Sequence, residues 1–151
     1  MNLVAVINSR SDMTDKAVVY HFLSTQSYWA KDIPYDIFEK SLKNSLCFNA
    51  LFNDQQVGFA RVITDYATYG YLADVFVLDE FRGKGISKQL MRAIIEHPEL
   101  QRLRRITLAT SDAHGLYRQF GFTQLETPEI FMEKRNLSIY QQLKQNKTKI
   151  S

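Results

Sequence analysis

Arg82, Gly83, Lys84 and Gly85 sit between an apolar run that ends at Leu78 and a helix-like pattern that starts near Ile86. The chemistry these residue types suit is the holding of an anion. A helix N-terminus presents unpaired N–H groups and the positive end of the helix dipole. Glycines just before it let the backbone approach a ligand without interference from Cβ atoms, and Arg82 and Lys84 add full charges. Two phosphate loops are excluded. A P-loop needs G-x-x-x-x-G-K-S/T, but Leu78 occupies the first position and Gly85 follows Lys84. A dinucleotide fingerprint needs G-x-G-x-x-G, and Lys88 stands at its last position. The loop alone leaves open a charged surface turn.

Two blocks decide the context. "VFVLDEFRGKGISKQLM" (Val75 to Met91) resembles the signature of the GNAT acetyltransferase superfamily, R/Q-x-x-G-x-G/A, through Arg82, Gly83, Lys84, Gly85 and Ile86. Ser87 stands where Gly or Ala is usual and is small enough to keep a close approach. "LATSDAHGLYRQFGF" (Leu108 to Phe122) resembles that family's later segment through Ala113, Leu116, Tyr117, Gly121 and Phe122, with Thr110 in place of Asn. The resemblance covers roughly residues 46–134. It implies acetyl-CoA as cofactor, its diphosphate cradled by residues 82–87. It further implies that Val75, Phe76 and Val77 pair with the pantetheine arm and that Thr110 occupies a cofactor-contact position. No metal is expected.

Acetyl transfer to an amine needs a neutral nucleophile, a polarised thioester carbonyl and protonation of the leaving thiolate. Freeing the lone pair of a lysine-like amine at pH 7 costs about 4.6 kcal/mol, and a carboxylate, directly or through water, is the natural proton acceptor. Asp74, just before the cofactor-pairing residues, is the candidate; capping of local backbone is its alternative role. "YLADVFVLDEFRGKG" also resembles the matching stretch of spermidine/spermine acetyltransferases, with Ala73 where a second acid stands there. A backbone N–H of Val75 to Val77 could polarise the carbonyl. Tyr117 matches the family's general-acid tyrosine. Tyr28 and Trp29 lie between the first two helical patterns, where the family shapes its acceptor pocket. Asp65 either lines that pocket or serves a turn.

The elements that must position these groups read as a mixed α/β sheet with helices on its faces, in the order βααβββαβαββ. "NLVAVIN" is β-like. A helix follows over "SDMTDKAVVYHFLSTQ", with Ser, Asp or Thr as cap and a stripe of Ala17, Tyr20, His21 and Ser24. A second runs from Pro34 with Ile37, Phe38 and Leu42 on one face. "LCFNALF" and "VGFARVIT" form a hairpin, "TYGYLADVFVL" a third strand, and Leu90, Ala93 and Ile94 stack on the next helix. "RITLAT" is a strand, "DAHGLYRQF" a short helix, and "GFTQLE" and "EIFMEK" are expected as closing strands.

At 151 residues the chain reads as one domain, 1–151. Its 45% hydrophobic and 23% charged residues are those of a soluble globular protein. Nothing approaches a membrane span or a secretory signal. The single cysteine, Cys47, reads as an inert strand residue, and a cytoplasmic location fits. A net charge of +3 suits phosphate-bearing ligands without demanding nucleic acid; residues 101–105 and 141–150 read as solvated basic faces. Open edges beside the closing strands leave room for a homodimer. The function expected is an N-acetyltransferase acting on a primary amine, small molecule or peptide, with a non-catalytic acyl-CoA sensor as the alternative. A nucleic-acid-binding domain rests only on the pI of about 9.0.

Overall fold

The computed structural model describes the backbone of residues 1–150 and the side chains outside residues 147–150. Its sheet has five strands in chain order: β1 (Val6–Asn8), β2 (Leu46–Phe52), β3 (Gln55–Thr64), β4 (Tyr69–Val77) and β5 (Arg105–Thr107). The first four pair antiparallel, and β5 runs parallel to β4, so the sheet is mixed. Helices α1 (Lys16–His21) and α2 (Tyr35–Lys43) cover one face; α3 (Ile86–Glu96) and α4 (His114–Arg118) pack with the other. Among the described residues, no helix is long and apolar enough to cross a membrane.

The two faces hold two cores. Ile86, Leu90, Met91 and Ile94 of α3 are buried against Phe48, Ala50, Val62 and Leu72. Across the sheet, Val19, Phe22, Leu23, Phe38 and Leu42 bury against Cys47, Phe59 and Phe76, and the Phe22 and Phe76 rings stack at 4.0 Å. Each such aliphatic or aromatic side chain contributes roughly 1.5–3 kcal/mol on burial. Polar groups inside are paired: Asn49 and Gln56 link to each other and to Thr14, Asn8 and the Gly58 carbonyl. Burial lifts the Cys47 thiol to about 11, which keeps it protonated and inert.

Three expectations need correcting. The first helix is shorter than its pattern, because Asp15 caps it from within by accepting from Val18 N–H at 3.3 Å. It then widens into a π-helical turn (Phe22–Gln26), where Ser27 N–H bonds Phe22 O. Its buried stripe is Val19, Phe22 and Leu23, while Ala17 and His21 face solvent. "GFTQLE" and "EIFMEK" alternate like strands but pair with none; Pro128–Ile130 is a 3-10 turn instead. Alternation alone cannot make a strand without a partner edge, and Pro128 offers no N–H. The tail is helical, α5 (Ile139–Ile150), and seats Tyr140 against the α1/α2 core. The basic side chains from residue 147 onward lie outside the described ones.

Candidate active site

At the end of β4 the chain makes a 3-10 turn (Asp79–Phe81), passes Arg82–Gly85 and enters α3. Gly83 and Gly85 take φ of +74° and +83°, which suits glycine. Gly85 is the N-cap and has no side chain to satisfy the helix's first donors. Among the described residues, the backbone N–H groups of Gly83 through Lys88 find no acceptor; the first helical bond there is Gln89 N–H to Gly85 O. A row of free N–H groups around a glycine-lined bend fits a diphosphate.

The cationic side chains divide differently from the expectation. Arg82 lines the first cavity as expected, with its guanidinium donating to Val77 O at 3.2 Å and pairing with Asp79 at 3.2 Å. Lys84 takes no part in the cavity lining; its carbonyl accepts from Leu3 N–H at 2.9 Å. Lys88, one helical turn on, lines the cavity beside Ser87. Asn2, from before β1, lines it too.

The gap that would take the rest of the cofactor comes from strand divergence. β5 pairs with β4 only from Tyr69 to Tyr71, so beyond Leu72 that edge of β4 is open. On its other edge the register shifts: Phe59 faces Phe76 but Arg61 faces Ala73, leaving Asp74 and Val75 opposite Ala60. That bulge puts Asp74 at φ +54° and turns the strand. A cavity of about 440 Å³ runs from Val75, Phe76 and Val77 to Gly83, Gly85 and Ile86.

A second cavity, of about 580 Å³, opens on the far side of the bulge. Its walls include Tyr28, Trp29, Tyr71, Asp74 and Tyr140. Val75, Ala113 and Tyr117 line both cavities, so these residues mark where the two meet. Tyr117, on α4, is 8% exposed. Burial, then the neighbouring Tyr28 and Asp112, push its phenol up to about 12, so it stays protonated and able to donate. Its ring meets Phe122 edge-on at 6.0 Å.

Asp74 is tightly held. Trp29 Nε1 donates to its Oδ1 at 2.7 Å and Arg61 Nε to its Oδ2 at 2.5 Å. Arg61 in turn donates to Ser45 Oγ at 3.0 Å. Tyr28 stands edge-on to Trp29 at 4.9 Å, and its hydroxyl accepts from Ser111 Oγ at 3.0 Å. The loop between α1 and α2 is thereby fastened to β4 and to the segment before α4. Burial and the Asp74 charge raise the Tyr140 phenol, against the opposing effect of Arg61.

Thr110 and Asp65 lie elsewhere than expected. Thr110 Oγ1 accepts from Ala113 N–H at 3.1 Å, opening α4, and the residue faces the second cavity rather than the first. Asp65 sits in the β3–β4 turn, at the opposite end of β4 from the glycines. It accepts from the Thr68 N–H and hydroxyl and from the Ala67 and Tyr69 N–H groups. These bonds, led by that from Thr68 N–H, hold its carboxyl far below the usual carboxylate range. It lines neither cavity.

Sequence reasoning missed Asn2 and Lys88 on the first cavity and Arg61, Tyr71, Arg135 and Tyr140 on the second. Only Lys88 carried a local signal, its spacing from Gly85 on an obvious helix.

Comparison with known proteins places this geometry. A family model described as the Acetyltransferase (GNAT) family matches residues 15–122. A protein named as an acetyltransferase in Gibberella zeae is 31% identical over 113 residues, 62% of this chain and 64% of that one. The chain thus spans less than two thirds of that curated relative's length. A crystal structure described as an acetyltransferase of the GNAT family, from Xanthomonas campestris pv. campestris, superposes with a TM-score of 0.89 at 46% identity. That likeness covers 93% of this chain and 99% of the other. An acetyltransferase from Clostridium acetobutylicum, solved with acetyl-CoA, shares the fold with a TM-score of 0.62 at 17% identity, over 86% and 96% of the two chains.

Proposed function

Because the chain belongs to the GNAT acetyltransferase family, we propose that it transfers an acetyl group from acetyl-CoA to a primary amine, small molecule or peptide. The observation that carries this reading is the meeting of two cavities at Val75, Ala113 and Tyr117, with free backbone donors at the far end of one.

When bound, acetyl-CoA supplies the activated acyl carbonyl. The N–H groups of Gly83 to Lys88 and the Lys88 ammonium hold the diphosphate. The open edge of β4 from Val75 to Val77 would pair with the pantetheine amides, and an N–H of that stretch would polarise the carbonyl. The amine enters from the second cavity, between the rings of Tyr28, Trp29, Tyr71 and Tyr140, whose faces suit a cation before it is deprotonated.

Each Asp74 oxygen accepts one protein donor and keeps a second acceptor direction. Asp74 therefore orders a water that takes the amine's proton, rather than receiving it first-hand. Tyr117, which lines both cavities, would donate a hydrogen bond to the departing sulfur. With its phenol near 12 and a thiol near 8.5, full proton transfer is uphill by roughly 5 kcal/mol, so the hydrogen bond does the stabilising.

The test is thiol release from acetyl-CoA with polyamines, amino acids, arylalkylamines, aminoglycosides and lysine peptides. Turnover on one class supports the reading. The engagement of Asp74 by two donors favours a second reading, a non-catalytic acyl-CoA-binding module. Saturable coenzyme A binding with no turnover on any acceptor would select it.

A further inference from the structure

The segment before β1 lies across the glycine turn, tied by three hydrogen bonds. Leu3 N–H donates to Lys84 O at 2.9 Å. Gln89, on α3, bonds the same segment twice: its Nε2 donates to Leu3 O at 2.6 Å and its Oε1 accepts from Ala5 N–H at 2.9 Å. This two-way amide grip fixes both the position and the direction of the segment, and Gln89 Nε2 also donates to Gly85 O at 3.3 Å. It places Asn2 over Gly85, so close that a Cβ there would lie 3.2 Å from the Asn2 side-chain carbon. The Asn2 carboxamide is exposed, lines the first cavity and makes no hydrogen bond among the described residues.

An exposed amide that lines a cavity and makes no hydrogen bond to the described residues, set beside a row of free N–H groups, is a donor open to a bound anion. We propose that Asn2 completes the diphosphate cradle by donating its side-chain N–H to a phosphate oxygen, and that Gln89 is the positioning residue that holds Asn2 there. This rests on the acetyl-CoA reading above. It gives Gly85 a second duty beyond its backbone angle: leaving room for the Asn2 amide. It also explains why a glutamine stands on α3 near the cradle without lining the cavity itself.

The experiment is calorimetric binding of coenzyme A and of 3′-dephospho-coenzyme A to the full chain, with Asn2→Ala, Gln89→Ala and the double variant. A lost hydrogen bond to a charged oxygen predicts about 10- to 100-fold weaker binding for Asn2→Ala. Because the diphosphate is common to both ligands, the loss is equal for the two. Gln89→Ala weakens binding through Asn2, so the double variant binds no more weakly than about the larger single loss. A merely structural Gln89 would lower the thermal midpoint while leaving the Asn2→Ala effect additive, which overturns its positioning role. Unchanged binding in Asn2→Ala, or a loss confined to the ligand with the 3′-phosphate, overturns the assignment of Asn2. A wild-type chain that binds neither ligand overturns the acetyl-CoA reading, and this inference with it. Wild-type binding with unaffected variants overturns this inference alone.

Discussion

The Trp29 indole N–H donates to Asp74 Oδ1 at 2.7 Å, joining the loop between the first two helices to the bulge in β4. The other carboxylate oxygen takes Arg61, which is 15% exposed beside an 8% exposed partner. One aspartate thus closes the second cavity's wall and balances a largely buried cation.

Removing that charge should cost stability before it costs chemistry. Asp74→Asn tolerates the positive φ but leaves the Arg61 guanidinium unbalanced, a loss of about 3 kcal/mol. Urea denaturation measures it, and adding Arg61→Leu recovers part. A loss below about 0.5 kcal/mol would mean that the pair contributes little.

The two glycines should differ in effect. Alanine at either must hold a positive φ, at roughly 1–2 kcal/mol. At Gly83 the added Cβ meets open space, whereas at Gly85 it pushes against Asn2. Calorimetry should therefore find coenzyme A binding weakened more by Gly85→Ala than by Gly83→Ala. Equal losses would make backbone strain the whole cause.

Among the cations, Lys88→Ala should weaken coenzyme A binding by about tenfold and flatten its salt dependence. Lys84→Ala should change it little, because that side chain takes no part in the cavity lining. The reverse order in binding titrations at two salt concentrations would contradict this assignment.

Alkaline pH should unfold the chain earlier than an exposed-phenol protein. Tyr117 is raised to about 12 and Cys47 to about 11, from 10.0 and 9.0. Each folded-state value lies above the unfolded one, so between them the unfolded chain has lost protons that the folded chain keeps. Stability is then full below about pH 9 and falls as pH rises towards about 12. Urea midpoints across that range measure the slope, and Tyr117→Phe removes its own share, which lies above about pH 10, leaving those of Cys47 and Tyr140. A flat profile would place both groups in water.

The legible parts of this protein were those encoded locally. Gly83, Gly85 and the α3 stripe of Leu90 and Ile94 announce a turn into a helix, and Tyr117 falls at a spacing that its neighbours define. What was hidden depends on chain segments far apart in sequence. Arg61 faces Asp74 only through the register of β3 against β4, and the bulge that sets it has no composition signal. Asn2 reaches Gly85 because Gln89, 84 residues on from Ala5, grips the segment before β1. The alternation in "EIFMEK" misled because a strand is a relation between two edges, and β5 is only Arg105–Thr107.

The most direct test of the account is paired measurement of turnover and acetyl-CoA binding in Tyr117→Phe. With the second cavity occupied by a working amine, losing the phenol's hydrogen bond should lower kcat by about 100-fold and leave the acetyl-CoA Kd within about twofold, since the ring still fills its place between the cavities. Unchanged turnover in that variant, with the wild-type chain active, would contradict the claim that Tyr117 stands at the reacting sulfur.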